Sequence, residues 1–177
     1  AGVPPRPVRI GVLAVQGGFA AHVAHLSSVG ARAVEVRLPD EAEGLDGLIL
    51  PGGESTTIMM GIEAAGPDPA IRAHHEAGRP ILGTCAGMII SDRDHLGLIE
   101  ITTKRNAFGR QLASFEDDID LEGIEGGPVR GVFIRAPWVE ETGDGVEVLA
   151  EVNGHPVAVR HDNVTAISFH PELTGDD

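Results

Sequence analysis

Cysteine occurs once in the 177 residues, at Cys85, so the chain cannot close an internal disulfide. A reducing compartment, the cytoplasm, suits such a chain. Tyrosine is absent and aromatic residues make up only 3%, which leaves the core to Val, Ile, Leu and Ala. No apolar run approaches the ~20 residues that cross a bilayer. No signal-peptide pattern stands ahead of the first predicted strand. Spacings of the CxxC or HExxH type are missing and the eight histidines are scattered, so nothing in the pattern asks for a metal or other cofactor. Lysine is almost lacking too: of 13 basic residues only Lys104 is not arginine. A high-salt cell interior favours such a surface, and a GC-rich genome favours the same arginine bias. The net charge of −14 repels phosphate backbones and excludes nucleic acid as a partner.

What is present is a chain of one-domain length, 1–177, with 42% hydrophobic residues, enough for a real core. Strand and helix patterns alternate along its first half. Val8 to Val15 is an apolar β-branched run, and Phe19 to Val29 places Phe19, Val23, Leu26 and Val29 at helical spacing. Ala33 to Arg37 and Gly47 to Leu50 read as strands, Ser55 to Ala65 and Pro69 to Glu76 as helices, and Pro80 to Leu82 as a strand. The second half turns to strands at Gly97 to Thr102, Gly131 to Ile134, Val146 to Val152, Pro156 to Arg160 and Val164 to Phe169, with Asn153-Gly154 as a hairpin signal. This order predicts an α/β fold with a mostly parallel central sheet and helices on both faces. Its active site belongs at the carboxyl ends of the strands.

Residues 83–87 read Gly-Thr-Cys-Ala-Gly between two apolar runs. Strand, glycine, nucleophile, glycine, helix is the arrangement of a nucleophile elbow. It lifts the thiol above a sheet and aims it at a helix N-terminus, where a thiolate is favoured. By itself a lone cysteine reads equally well as a small buried hydrophobe. A base is what decides, and one stands in Ser168-Phe169-His170-Pro171-Glu172. His170 falls at a strand end. Two residues on, Glu172 points the same way and can orient the imidazole. Nucleophile, base and orienter together make a triad.

These residues resemble the class I, or triad, glutamine amidotransferases. Further segments narrow the likeness: 11–17 (Gly-Val-Leu-Ala-Val-Gln-Gly), 50–57 (Leu-Pro-Gly-Gly-Glu-Ser-Thr-Thr), 105–111 (Arg-Asn-Ala-Phe-Gly-Arg-Gln) and 132–137 (Val-Phe-Ile-Arg-Ala-Pro). With them the chain resembles, from about Arg9 to Thr174, the glutaminase subunits of pyridoxal 5′-phosphate synthase. The resemblance implies a three-layer α/β/α, flavodoxin-like fold and the hydrolysis of L-glutamine to glutamate and ammonia. It also implies a hetero-oligomer with a barrel-shaped synthase subunit that takes the ammonia.

The same resemblance assigns roles. Cys85, His170 and Glu172 are the catalytic triad. Gly53, Glu54, Ser55, Arg105, Ile134 and Arg135 border the bound glutamine. The N–H groups of Gly53 and Ala86 form the oxyanion hole, and Gln16 lies where the synthase docks. Each has a plainer reading: Gly52-Gly53 as a turn, Glu54 as a helix start, the arginines and Gln16 as solvated residues. His74, His75, Asp117, Asp118 and Asp120 read as solvated surface. The chain departs from the family between Cys85 and His95, where Ser91-Asp92-Arg93-Asp94 closes the elbow helix abruptly, and at Asp177, short of a terminal helix. A shortening at the elbow is expected to cost that helix its packing. The same chemistry feeding another acceptor, and a binding module that has lost its chemistry, are the competing readings.

Overall fold

The computed structural model describes residues 8–15, 19–105, 107, 114–119, 129–134 and 136–170. The first half alternates as expected: β1 (Arg9–Leu13), α1 (Phe19–Ser28), β2 (Arg32–Val36), a 3₁₀ turn (Pro39–Ala42), β3 (Gly47–Leu50), α2 (Ser55–Ala65), α3 (Asp68–Glu76), β4 (Ile81–Thr84) and α4 (Ala86–Ile90). Strands then dominate: β5 (Ile101–Lys104), β6 (Ser114–Ile119), β7 (Val129–Ile134), β8 (Trp138–Thr142), β9 (Glu147–Val152), β10 (His155–His161) and β11 (Val164–Ile167).

Among the described residues, seven strands form one sheet in the order β2-β1-β3-β4-β11-β10-β9. The pairings from β2 across to β11 are all parallel, and β10 and β9 add an antiparallel edge. This is the doubly wound, flavodoxin-like order, in which ligands bind beyond the carboxyl ends of the strands. The parallel strands are buried on both faces, so they read as continuous apolar runs; all four residues of β3 are buried. β9 turns into β10 through Asn153 and Gly154, with φ of 53° and 78°. Positive φ at both central residues is what a two-residue hairpin of this kind requires.

Alternation along the strands divides the core between the two faces. On one face Ile58 and Ile62 of α2, Ile71 of α3 and Met88 and Ile90 of α4 cover Leu48, Leu50, Ile81, Val164 and Ala166. The other cluster joins Leu149, Val157 and Ile167 to Ile119 and Phe133 of the β6–β7 ribbon. There the Phe133 and Phe169 rings meet with centroids 5.5 Å apart, tilted at 53°.

Two expectations fail here for definable reasons. His74 is buried rather than solvated: its Nε2 lies 3.1 Å from the Pro80 carbonyl oxygen, and burial lowers its pKa. The strand expected from Gly97 begins only at Ile101, because residues 96–99 fold back on the end of α4. The N–H of Leu96 donates to Ile90, and those of Leu98 and Ile99 donate to Ser91. That fold-back also supplies packing that the short connection was expected to lack, since Leu96, Leu98 and Ile99 join the core beside Ile90.

Asp92, only 2% exposed, ties the connection together. It accepts from Thr103 Oγ1 (2.7 Å), from the N–H of Asp94 (3.0 Å), and bonds His95 Nδ1 (2.7 Å). Replacing it by alanine leaves these part-buried groups without their common buried acceptor. Asp92→Ala is therefore expected to destabilise the protein by about 1–3 kcal/mol. The urea midpoint should fall with the slope of the transition unchanged.

Candidate active site

Cys85 stands between β4 and α4 with φ 53° and ψ −110°. A side-chain-bearing residue in this region costs about 1–3 kcal/mol and persists only where its surroundings over-determine it. Here they do. The Cys85 N–H donates to Ile167 of β11 at 2.8 Å, and its own carbonyl accepts from the N–H of Met88 at 3.0 Å. The cysteine itself takes the strained turn; the flanking glycines have another task. A methyl at Gly87 would fall 1.9 Å from the Leu50 oxygen, and one at Gly83 would fall 2.6 Å from the Gly87 oxygen. Backbone therefore meets backbone from β3 through α4 to β4, where any side chain would hold them apart. The result is a thiol only 7% exposed at the carboxyl rim of the sheet.

His170 follows β11, the neighbour of β4, and its N–H donates to Val132 of β7 at 2.8 Å. A methyl at Gly52 would lie 2.6 Å from His170 Cε1 and 3.4 Å from Cys85 Cβ. Cysteine and histidine thus flank one glycine, beyond the ends of three adjacent strands. Glu172, Arg135 and Gln16 lie outside the described residues. Ile134 closes β7 two residues beyond Val132. Ala86 opens α4, in the first turn, whose N–H groups have no partner within a helix. Gly53 is exposed with φ 149°, open only to glycine.

Glu54 and Arg105, 51 residues apart in sequence, form an ion pair from Arg105 Nη2 to Glu54 Oε1. Arg105 Nη1 also donates to Thr56 Oγ1 at 3.2 Å. The other oxygen of Glu54 accepts from the N–H of Thr57 at 2.6 Å and from its hydroxyl at 2.8 Å, which caps α2. Glu54 is therefore both helix cap and anion beside Arg105. Ser55, buried, opens the helix behind it. Among the described residues no three His, Cys, Asp or Glu side chains gather as metal ligands, and no helix is long and apolar enough to cross a membrane.

His22 was missed by the sequence reading. It is the one residue of α1 that is fully buried, and its Nε2 lies 3.1 Å from Oγ1 of Thr84, the neighbour of Cys85. Its spacing of three from Phe19 and four from Leu26 puts it on the predicted buried face of α1, a signal available in the sequence.

The bonds from Thr57, and after them the one from Arg105, hold the Glu54 carboxyl down at about 2. A lowered pKa means that the contribution of the cap and pair is fully present above the ordinary value of 4.5 and is lost as pH falls towards 2. Carboxyl NMR should find Glu54 still ionised at pH 3.5, and Thr57→Ala should raise its midpoint. An ordinary midpoint in the native chain would contradict the capped geometry.

The profile of the SNO glutamine amidotransferase family matches residues 12–177. A relative from Nocardia farcinica, named pyridoxal 5′-phosphate synthase subunit PdxT, is 51% identical across 98% of this chain and 82% of its own length. One of the same name from Streptomyces coelicolor is 52% identical across 94% of this chain and 87% of its own. A crystal structure of a glutamine amidotransferase superposes with a TM-score of 0.88 at 46% identity, covering 94% of this chain and 92% of that one. The PurLQS structure from Thermotoga maritima shares the fold, with a TM-score of 0.73 at 21% identity over 97% and 91% of the two chains. With a strained cysteine beside a histidine at the carboxyl rim of the sheet, the match across nearly the whole length settles the lineage: this chain belongs to the SNO glutamine amidotransferase family.

Proposed function

We propose that this chain is the glutaminase subunit of a pyridoxal 5′-phosphate synthase, hydrolysing L-glutamine and passing ammonia to a barrel-shaped synthase subunit in the cytoplasm. The observation that carries the chemistry is the meeting of Cys85 and His170 across Gly52. The relatives named as synthase subunits support the setting.

The thiolate of Cys85 attacks the side-chain amide carbon of glutamine, and the carbonyl becomes an oxyanion. The N–H groups of Gly53 and Ala86 stabilise it. His170, oriented by Glu172, gives its proton to the departing nitrogen, the C–N bond breaks, and ammonia leaves a glutamyl thioester. His170 then takes a proton from water, the hydroxide adds to the thioester, and glutamate departs as the thiolate is restored. Specificity follows from charge. An amino acid carries an anion and a cation on one carbon, and the Arg105–Glu54 pair offers the complementary cation and anion side by side. Ser55, Ile134 and Arg135 complete that wall.

The acceptor chemistry belongs to the partner, because ammonia loses its nucleophilicity once protonated in bulk water. Gly53 supplies the control: its φ of 149° suits a peptide that turns over at little cost. Docking near Gln16 fixes that peptide with its N–H inward.

Three outcomes test this reading. Cys85→Ala should leave less than about a hundredth of the glutamate release, with the fold intact. Gly52→Ala should lower turnover roughly 10²-fold without a matching loss of melting temperature, because its methyl wedges His170 away from the thiol. Titrating in the synthase subunit should raise glutamate release severalfold; a flat titration with binding confirmed would sink the docking switch.

A further inference from the structure

Helix α1 keeps its deepest position for a polar residue. Its apolar members Phe19, Val23 and Leu26 are all partly exposed, yet His22 is 4% exposed. Removing an imidazole from water is unfavourable unless it is hydrogen-bonded, and its Nε2 meets the hydroxyl of Thr84 at 3.1 Å; the direction of that bond follows the imidazole tautomer. Thr84 is itself fully buried. Leucine at 22 and valine at 84 would bury the same surface without any polar group to satisfy.

The location explains why a polar pair stands there. Thr84 is the last residue of β4, in register with Ile167 of β11, and the next residue is the strained Cys85. For Cys85 to relax into an ordinary conformation, the peptide between 84 and 85 must rotate. Sheet pairing restrains the backbone of Thr84 from one side. The bond to His22 restrains its side chain from the other face of β4, opposite to that of Gly83, which touches α4. From these contacts we infer that His22 is a positioning residue: through Thr84 it holds the nucleophile turn in its strained form. The reach of this inference into turnover rests on the glutaminase reading above; its reach into the backbone of Cys85 does not.

Two readouts on the full chain test it: kcat and KM for glutamine with the synthase subunit present, and amide hydrogen exchange at Cys85, whose N–H is bonded to Ile167. Thr84→Val keeps the shape and removes the hydroxyl; Thr84→Ser keeps the hydroxyl. Thr84→Val and His22→Phe should each lower kcat roughly tenfold with KM nearly unchanged, since Glu54 and Arg105 lie on other elements. The double variant should be no worse than either single one. The Cys85 amide should exchange at least about tenfold faster while core amides such as Val159 keep their protection. Thr84→Ser should restore both readouts. Native protection of Cys85 in Thr84→Val, equal losses at Cys85 and Val159, or additive losses in kcat would each overturn the inference. If His22→Phe fails to fold, the two Thr84 variants decide alone. If the native chain releases no glutamate, the exchange data still decide, so the two failures stay distinct.

Discussion

The parallel pairing of β4 with β11 is the constraint on which the rest depends. One strand leads into Cys85 and the other to His170, and their register sets Thr84 opposite Ile167. The same register supplies the bond from the Cys85 N–H to the Ile167 carbonyl. A slip of one residue would reverse every side chain on β11, putting Thr165 and Ile167 where Val164 and Ala166 now fill their core cluster. The apolar faces that specify register for stability thus also hold Cys85 beside His170.

Around that pair the structure divides two tasks that glycine performs. At Gly83 and Gly87 what matters is the missing side chain, which lets β3, α4 and β4 touch through their backbones. At Gly53 what matters is conformation. The strained residue in the elbow is neither glycine but the cysteine, so the chain's one thiol sits where the backbone stores strain. Glu54 shows a similar economy, since one oxygen stabilises a helix end while the other faces Arg105.

Much of this was legible because the signals are local. The limits of α2 agree with the sequence reading at both ends, Ser55 and Ala65, and Asn153-Gly154 makes the expected hairpin. Cys85 and His170 carry motif contexts that imply strand ends, so their convergence followed from the α/β order. Long-range contacts were hidden. His74 looks polar on its helix, and only the passage of Pro80 beneath it makes burial tolerable. His22 shares an apolar face, but nothing local shows that Thr84 lies across from it. The acidic stretch of β6 gave no strand signal, yet β6 pairs with β7 along its whole length. The strand expected from Gly97 starts late because the carbonyl of Ser91 draws the chain back. Glu172, Arg135 and Gln16 fall outside the described residues, so their roles rest on sequence.

Placing a late strand beside a middle one has a consequence for biosynthesis. β11 enters the sheet between β4 and β10, so during translation β4 waits beside β3 with one edge open. At ribosomal speeds of about 5–20 residues per second, the stretch from Cys85 to His170 takes roughly 4–17 s to make. Through that interval the nascent chain carries Cys85 without His170 and without the carbonyl of Ile167 that bonds its N–H. The turn that holds Cys85 is therefore completed only when a single strand of four residues, Val164–Ile167, takes its place in the sheet.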